Sequence, residues 1–176
     1  MMKGYREIQP YELELSACRA IGKDWMLICA RSGSKVNAMT ASWGFLGEIW
    51  SIPAAVCFIR PQRYTFGLVD GSEYFSLCFF DGERKRELSY FGSHSGRDGD
   101  KAAACGMSYG SLTVGNTEVP YVTGAHKVLV CRKLYFDDIK PEGFTDPDTV
   151  AKNYPGRDFH RMFIGGIEKC FELIQK

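Results

Sequence analysis

Histidine is scarce. The 176 residues contain three, far apart at positions 94, 126 and 160. That spacing excludes an HExxH zinc site, and no Ser–His–Asp or Cys–His array can be defended. None of the seven cysteines forms a CxxC pair, so neither a zinc ribbon nor a dithiol motif is supported. No metal site is expected. Long hydrophobic runs are missing too: no segment approaches the roughly 18 apolar residues of a membrane helix. The opening MMKGYREIQPYELEL has no apolar core of signal-peptide length. With an odd cysteine count, these absences lead to the expectation of reduced thiols, a cytoplasmic protein and no membrane contact. There is no excess of positive charge either. A net charge of +1 argues against a general nucleic-acid binder. No GxGxxG follows a strand and no GxxxxGK[ST] occurs, so a dinucleotide fold and a P-loop are both unsupported. Repeats and low-complexity tracts are absent.

What is present points to a packed β-rich domain. Hydrophobic residues make up 45% of the chain and aromatics 14%, which suits β-structure and a pocket for a flat ligand. One domain over 1–176 is expected for this length. Most cysteines sit in apolar contexts (ICA, VCF, LCF, LVC), where cysteine acts as a small hydrophobe. Strands are predicted at WMLICA (25–30), VNAMTASWGF (36–45), PAAVCFI (53–59) and YFSLCFF (74–80). Later strands are predicted at SLTV, at a long PYVTGAHKVLVCRKLYF bent at Gly124, and at FHRMFIGGI. Short helices are predicted at 11–20, from Pro61 onward, at 83–92 ending on Gly92, and at 100–106 ending on Gly106. Residues 137–158 read as a long polar excursion. Strands without regular helix alternation favour an antiparallel barrel with a few short helices over a doubly wound parallel sheet.

Three polar segments carry the chemistry. In NAMTASW (37–43), Asn, Thr and Ser on a strand either line a ligand beside an aromatic wall, Trp43, or face solvent on an edge strand. In FIRPQRYTF (58–66), an apolar run stops at Arg60. Pro61 then suits a helix start, and Arg63 and Thr65 stand where free N–H groups would welcome an anion. In GSHSGRDGDK (92–101), Ser93, Ser95, Gly96, Arg97 and Lys101 crowd a loop that can cradle an anion. Ser95, Asp98 or Asp100 can equally cap the next helix.

NAMTASWG, then RPQRYT, then SGRDGDK, in that order, resemble the flavin reductase-like family, which includes the flavoredoxins. The resemblance covers roughly residues 12–175 and includes FHRMFIGGI. It implies a mainly β fold with short helices, an FMN-binding split antiparallel β-barrel, assembled as a homodimer with non-covalent FMN. Asn37, Met39, Thr40, Ala41, Ser42 and Trp43 would lie against the flavin ring and ribityl chain. Arg60, Arg63, Tyr64 and Thr65 would lie near the ribityl and phosphate end. Ser95, Gly96, Arg97 and Lys101 would complete the anion site. His160 aligns with the histidine of a GDHxxxxG-like segment, although this chain has Asp-Phe-His there. It also has GGI where IGEI is usual, so the role of that acid is not transferred to Glu168. The implied activity is an NAD(P)H-dependent flavin reductase with no acid–base side chain. The alternatives are a flavoredoxin-type electron carrier reduced by a partner protein, and a barrel that has lost its flavin.

Overall fold

The computed structural model describes residues 4–174. Along the chain, β1 (Tyr5–Ile8) precedes α1 (Ala17–Gly22), and then come β2 (Met26–Ser32), β3 (Lys35–Ala41), β4 (Gly44–Ile49) and β5 (Ile52–Ile59). Next are α2 (Tyr64–Asp70), β6 (Tyr74–Phe79), α3 (Lys85–Ser93) and α4 (Lys101–Ala104). The chain continues through β7 (Tyr109–Val114), β8 (Thr117–Val122), β9 (Lys127–Asp138), α5 (Pro147–Asn153) and β10 (Arg161–Leu173). The fold is therefore mainly β with short helices, and every strand pairing among the described residues is antiparallel.

One sheet runs in the order β3-β2-β6-β9-β10-β5-β4, with β1 also on β10, and β7-β8 forms a separate ribbon. Strands β3 and β4 stand at opposite ends of that order, yet only Ser42 and Trp43 separate them in the chain. The three Cα–Cα steps from Ala41 to Gly44 span at most about 11 Å, so the sheet has to curl until its ends meet. No ladder joins β3 to β4 among the described residues, so the barrel stays split at that seam. Trp43 stands in the gap.

Both faces of the central strands are buried. Met26, Ile28 and Ala30 of β2 join one core cluster, and Leu27 and Cys29 join the other. A strand covered on both sides reads as an unbroken apolar run, as WMLICA does. On the second face, Leu88 and Phe91 anchor α3. Each buries its side chain fully, worth roughly 1.5–3 kcal/mol apiece. This packing sets α3 across β3. All seven cysteines are free, and five of them are buried. Burial raises the thiol pKa of Cys57 and Cys170 to about 12 and that of Cys78 to about 11, which makes them inert packing residues.

Several elements differ from expectation. The strand predicted over 36–45 breaks at Ser42, and Gly44–Ile49 becomes a separate strand paired with β5. Polarity alternation does not reveal that the chain changes neighbours there. The helix expected at Pro61 starts three residues later, because Arg60–Arg63 first closes a turn, with the Arg63 N–H on the Arg60 carbonyl at 3.0 Å. Gly92 lies inside α3 and does not end it; it passes 3.5 Å from Thr40 when a Cβ is placed on it. The long strand expected across Gly124 is two strands in two sheets, separated by a turn in which Gly124 has φ +79°. The predicted 11–20 helix forms only from Ala17, after a 3-10 turn at Pro10–Glu12. The double glycine in β10 does serve a close approach, but to side chains. A Cβ on Gly165 would stand 2.6 Å from Phe75 and 2.7 Å from Cys131.

Candidate functional site

Two adjoining cavities open at the seam. The larger, about 500 Å³, is walled by Met39, Thr40, Ala41, Ser42 and Trp43 from β3 and the residues that follow it. Phe58, Arg60, Arg63 and His160 close another side, and α3 supplies Leu88, Ser89, Gly92 and Ser93. The smaller, about 240 Å³, contains Asn37, Arg63, Tyr64, Thr65, Ser95, Gly96, Arg97 and Lys101. Met39, Arg63 and Ser93 line both, so the two cavities form one bent groove. All fifteen residues singled out from the sequence line it.

The larger chamber is aromatic and half-open. Trp43 is 40% exposed, and its ring centre lies 4.7 Å from that of His160. The Thr40 hydroxyl donates to the Leu88 carbonyl, tying β3 to α3. β3 has a strand partner on one side only, so its other edge leaves backbone groups facing α3 and the groove. His160 is buried, and Tyr154 Oη lies 3.0 Å from its Nδ1. Loss of solvent lowers the imidazole pKa to about 4, with the nearby Arg60 charge adding to the effect and Asp158 opposing it. His160 is therefore neutral at physiological pH.

The smaller chamber is a cationic pit. Lys101 is only 4% exposed. Its ammonium donates to the carbonyls of Phe91 at 3.0 Å and His94 at 3.2 Å. Arg63 donates to the same Phe91 carbonyl at 3.5 Å. Among the described residues neither cation has a carboxylate partner. Burial, and then the Arg63 charge, lower the Lys101 pKa to about 8, and burial lowers that of Arg63 as well. A buried and a half-buried cation, held only by carbonyls, form a site with a charge deficit, which an anion would relieve. The floor is built to fit. Asn37 donates to the Thr65 hydroxyl at 2.8 Å, with both residues buried. A Cβ on Gly96 would fall 2.3 Å from Asn37 Oδ1 and 2.8 Å from Tyr64. Tyr64 and Thr65 open α2, so their N–H groups have no intrahelical acceptor. Arg97 lies over the Tyr64 ring at 5.1 Å.

Some expected roles change. The Arg60 guanidinium is engaged by Asp158 and by the Asn153 carbonyl at 2.9 Å, so it braces the 137–158 excursion against the groove. The glycine-rich turn offers fewer free amides than its sequence implies. The Arg97 N–H donates to Ser95 Oγ and the Asp98 N–H to the Ser95 carbonyl, at 3.1 and 3.2 Å. Asp100 caps α4 through the N–H groups of Ala102 and Ala103, at 2.9 and 3.1 Å. Lining residues missed in the sequence include Trp25, Phe58, Gln62, Leu88 and Ser89. The wall-forming face of α3 carries a faint signal, since Leu88 and Gly92, like Ser89 and Ser93, are four residues apart. Trp25 gave no signal. It lies just before β2 at φ +68°, with the Lys85 ammonium 3.4 Å from its ring centre.

Solved structures share this fold. An FMN-binding domain of a flavin reductases-like enzyme from Shewanella baltica OS155 superposes with TM-score 0.67 at 18% identity, over 96% of this chain and 77% of that one. Flavoredoxin of Desulfovibrio vulgaris (Miyazaki F) gives 0.63 at 18% identity, over 86% and 69%. An FMN-binding protein from Thermus thermophilus, with bound p-hydroxybenzaldehyde, gives 0.61 at 27% identity, over 84% and 70%. No functionally curated protein matches the sequence. The family model described as "Flavin reductase like domain" matches residues 18–172, and the chain belongs to that family.

Proposed function

We propose that the chain is an FMN-binding oxidoreductase that takes hydride from NADH or NADPH. The observation that carries this reading is the bent groove, with its cationic pit at one end and an aromatic, half-open chamber at the other. The residues fit FMN. A phosphomonoester carries close to two negative charges at neutral pH, and Arg63 and Lys101 supply two uncompensated positive ones. Thr65, Ser95 and the first amides of α2 add neutral donors, and the exposed Arg97 adds a third cation to the lining. Met39 to Trp43 and Phe58 supply flat and apolar walls for the ring.

When bound, FMN supplies hydride acceptance from a nicotinamide, which is chemistry the side chains do not perform. The chain's own residues bind, orient and exclude water. Trp43 and neutral His160 leave one side of the chamber open for a second planar group. The unpaired edge of β3 offers backbone N–H groups where negative charge develops. Hydride transfer itself requires no acid or base from the chain.

A homodimer accords with the apolar surface at one end of the sheet, where Phe45, Trp50 and Ile52 on or beside β4 and β5 are 65%, 59% and 37% exposed. The flavoredoxin likeness supports a second reading, an electron carrier whose FMN is reduced by a partner protein. One experiment tests both. The protein is reconstituted with FMN and mixed anaerobically with NADH or NADPH while flavin absorbance is followed. Bleaching by either nucleotide supports the reductase. Bleaching only after addition of a partner reductase selects the carrier, and failure to take up FMN ends both readings.

A further inference from the structure

We propose that Tyr154 is a positioning residue that holds His160 as its Nε2–H tautomer, so that the larger chamber is offered a fixed hydrogen-bond donor. The geometry of the pair is independent of any ligand; its consequence rests on the flavoprotein reading.

Nδ1 of His160 lies 3.0 Å from the Tyr154 hydroxyl. Nε2 has no protein partner among the described residues, yet it is absent from the buried side-chain atoms that lack one, which are Tyr5 Oη and Arg31 Nε. His160 is 9% exposed and lines the larger chamber. Nε2 is therefore the nitrogen that reaches open space, and that space is the chamber.

The direction of the Tyr154 bond follows from proton affinities. Burial raises the Tyr154 hydroxyl pKa, so the phenol keeps its proton. A neutral imidazole nitrogen accepts better than a phenol oxygen, and the hydroxyl oxygen already faces the His160 backbone N–H. The hydroxyl thus donates to Nδ1, and the ring proton is left on Nε2. Arg60 is near enough to disfavour a second ring proton, and its carbon Cζ stands 5.4 Å from the Tyr154 ring. Asp158 acts in the opposite sense but is itself bound by Arg60 and by Gln62 at 2.7 Å. Tyr154 is held in turn by Phe159, with ring centres 4.7 Å apart, and by Phe144 at 6.0 Å. The polar 137–158 excursion therefore ends in an aromatic anchor that sets the tautomer of a groove residue.

The test is a long-range proton–nitrogen correlation spectrum of the full chain labelled with nitrogen-15 histidine, at pH 7 and without flavin. His160→Gln assigns the signal. Expected is a protonated-type shift at Nε2 and an unprotonated-type shift at Nδ1, with both moving toward averaged values in Tyr154→Phe. That variant keeps the ring and its packing. A wild-type Nδ1–H tautomer overturns the proposal, as does an unaltered tautomer in Tyr154→Phe. A second measurement uses riboflavin and inorganic phosphate as separate probes. Tyr154→Phe should weaken riboflavin binding about twofold, the loss expected when only about half of the rings present Nε2–H, and leave phosphate binding unchanged. Equal loss of both, or of neither, also overturns it. If riboflavin does not bind the wild type at all, the flavoprotein reading fails while the tautomer remains readable.

Discussion

Replacing Lys101 by methionine should make the ligand-free protein more stable and its grip on FMN weaker. The ammonium is almost wholly buried, and its pKa falls from 10.5 to about 8. At neutral pH it remains charged, so the fold bears a cost of about 3 kcal/mol for that charge. Methionine matches the stem and removes the charge. It also strips a donor from the Phe91 and His94 carbonyls, and each loss costs about 1 kcal/mol. The net gain is about 1–2 kcal/mol, or roughly 2–8 °C in Tm for a chain of this size. The cost falls on the ligand, since one charge-assisted contact to phosphate is lost, or about 10–100-fold in FMN affinity. Thermal melts of the flavin-free protein and FMN titration by fluorescence measure both quantities. The sign of the pH dependence is a further check. Between pH 8 and 10.5 the unfolded chain binds the proton more readily than the folded one, so wild-type stability rises with pH across that window. The variant should lack that rise. A variant that melts lower without ligand, or binds FMN within about threefold of wild type, would refute the account of a buried cation held in reserve for an anion.

Two other outcomes follow from the same geometry. Gly96→Ala should cost about 1–3 kcal/mol of stability by overpacking and should weaken FMN binding, because the new methyl displaces Asn37 from Thr65; unchanged affinity in a titration would count against the pit. The His160 pKa lies at about 4 in the fold and 6.5 in the unfolded chain, so the unfolded state takes up the extra proton first and stability falls as pH drops from 6.5 to 4. Chemical-denaturation midpoints for His160→Gln should lose that part of the acid dependence, and an identical slope in both proteins would contradict it.

Much of this was legible in the linear order of residues. The apolar runs around Leu27, Phe75 and Leu129 announce strands covered on both faces, because a strand with no solvent side needs no polar alternation. The pit was legible because its parts are chemically marked, with Arg63 and Thr65 after a proline turn and Lys101 after a glycine-rich loop. The break at Ser42 was not legible. A strand that changes neighbours keeps the same local preferences on either side, and only the meeting of the sheet's two ends forces the chain out of register there. The bracing contact of Arg60 was not legible for a related reason. Its partner Asp158 lies 98 residues away, and nothing local couples the two.

The sequence alone therefore determined the class of fold, the chemical character of each segment and the family to which the segments belong, since these depend on residue type and short-range order. Tertiary structure decided which cations stay without counter-charges, which amides are already used and which side chains wall the chamber. Those properties depend on desolvation and on partners brought together by the curl of the sheet, and neither is written in neighbouring residues.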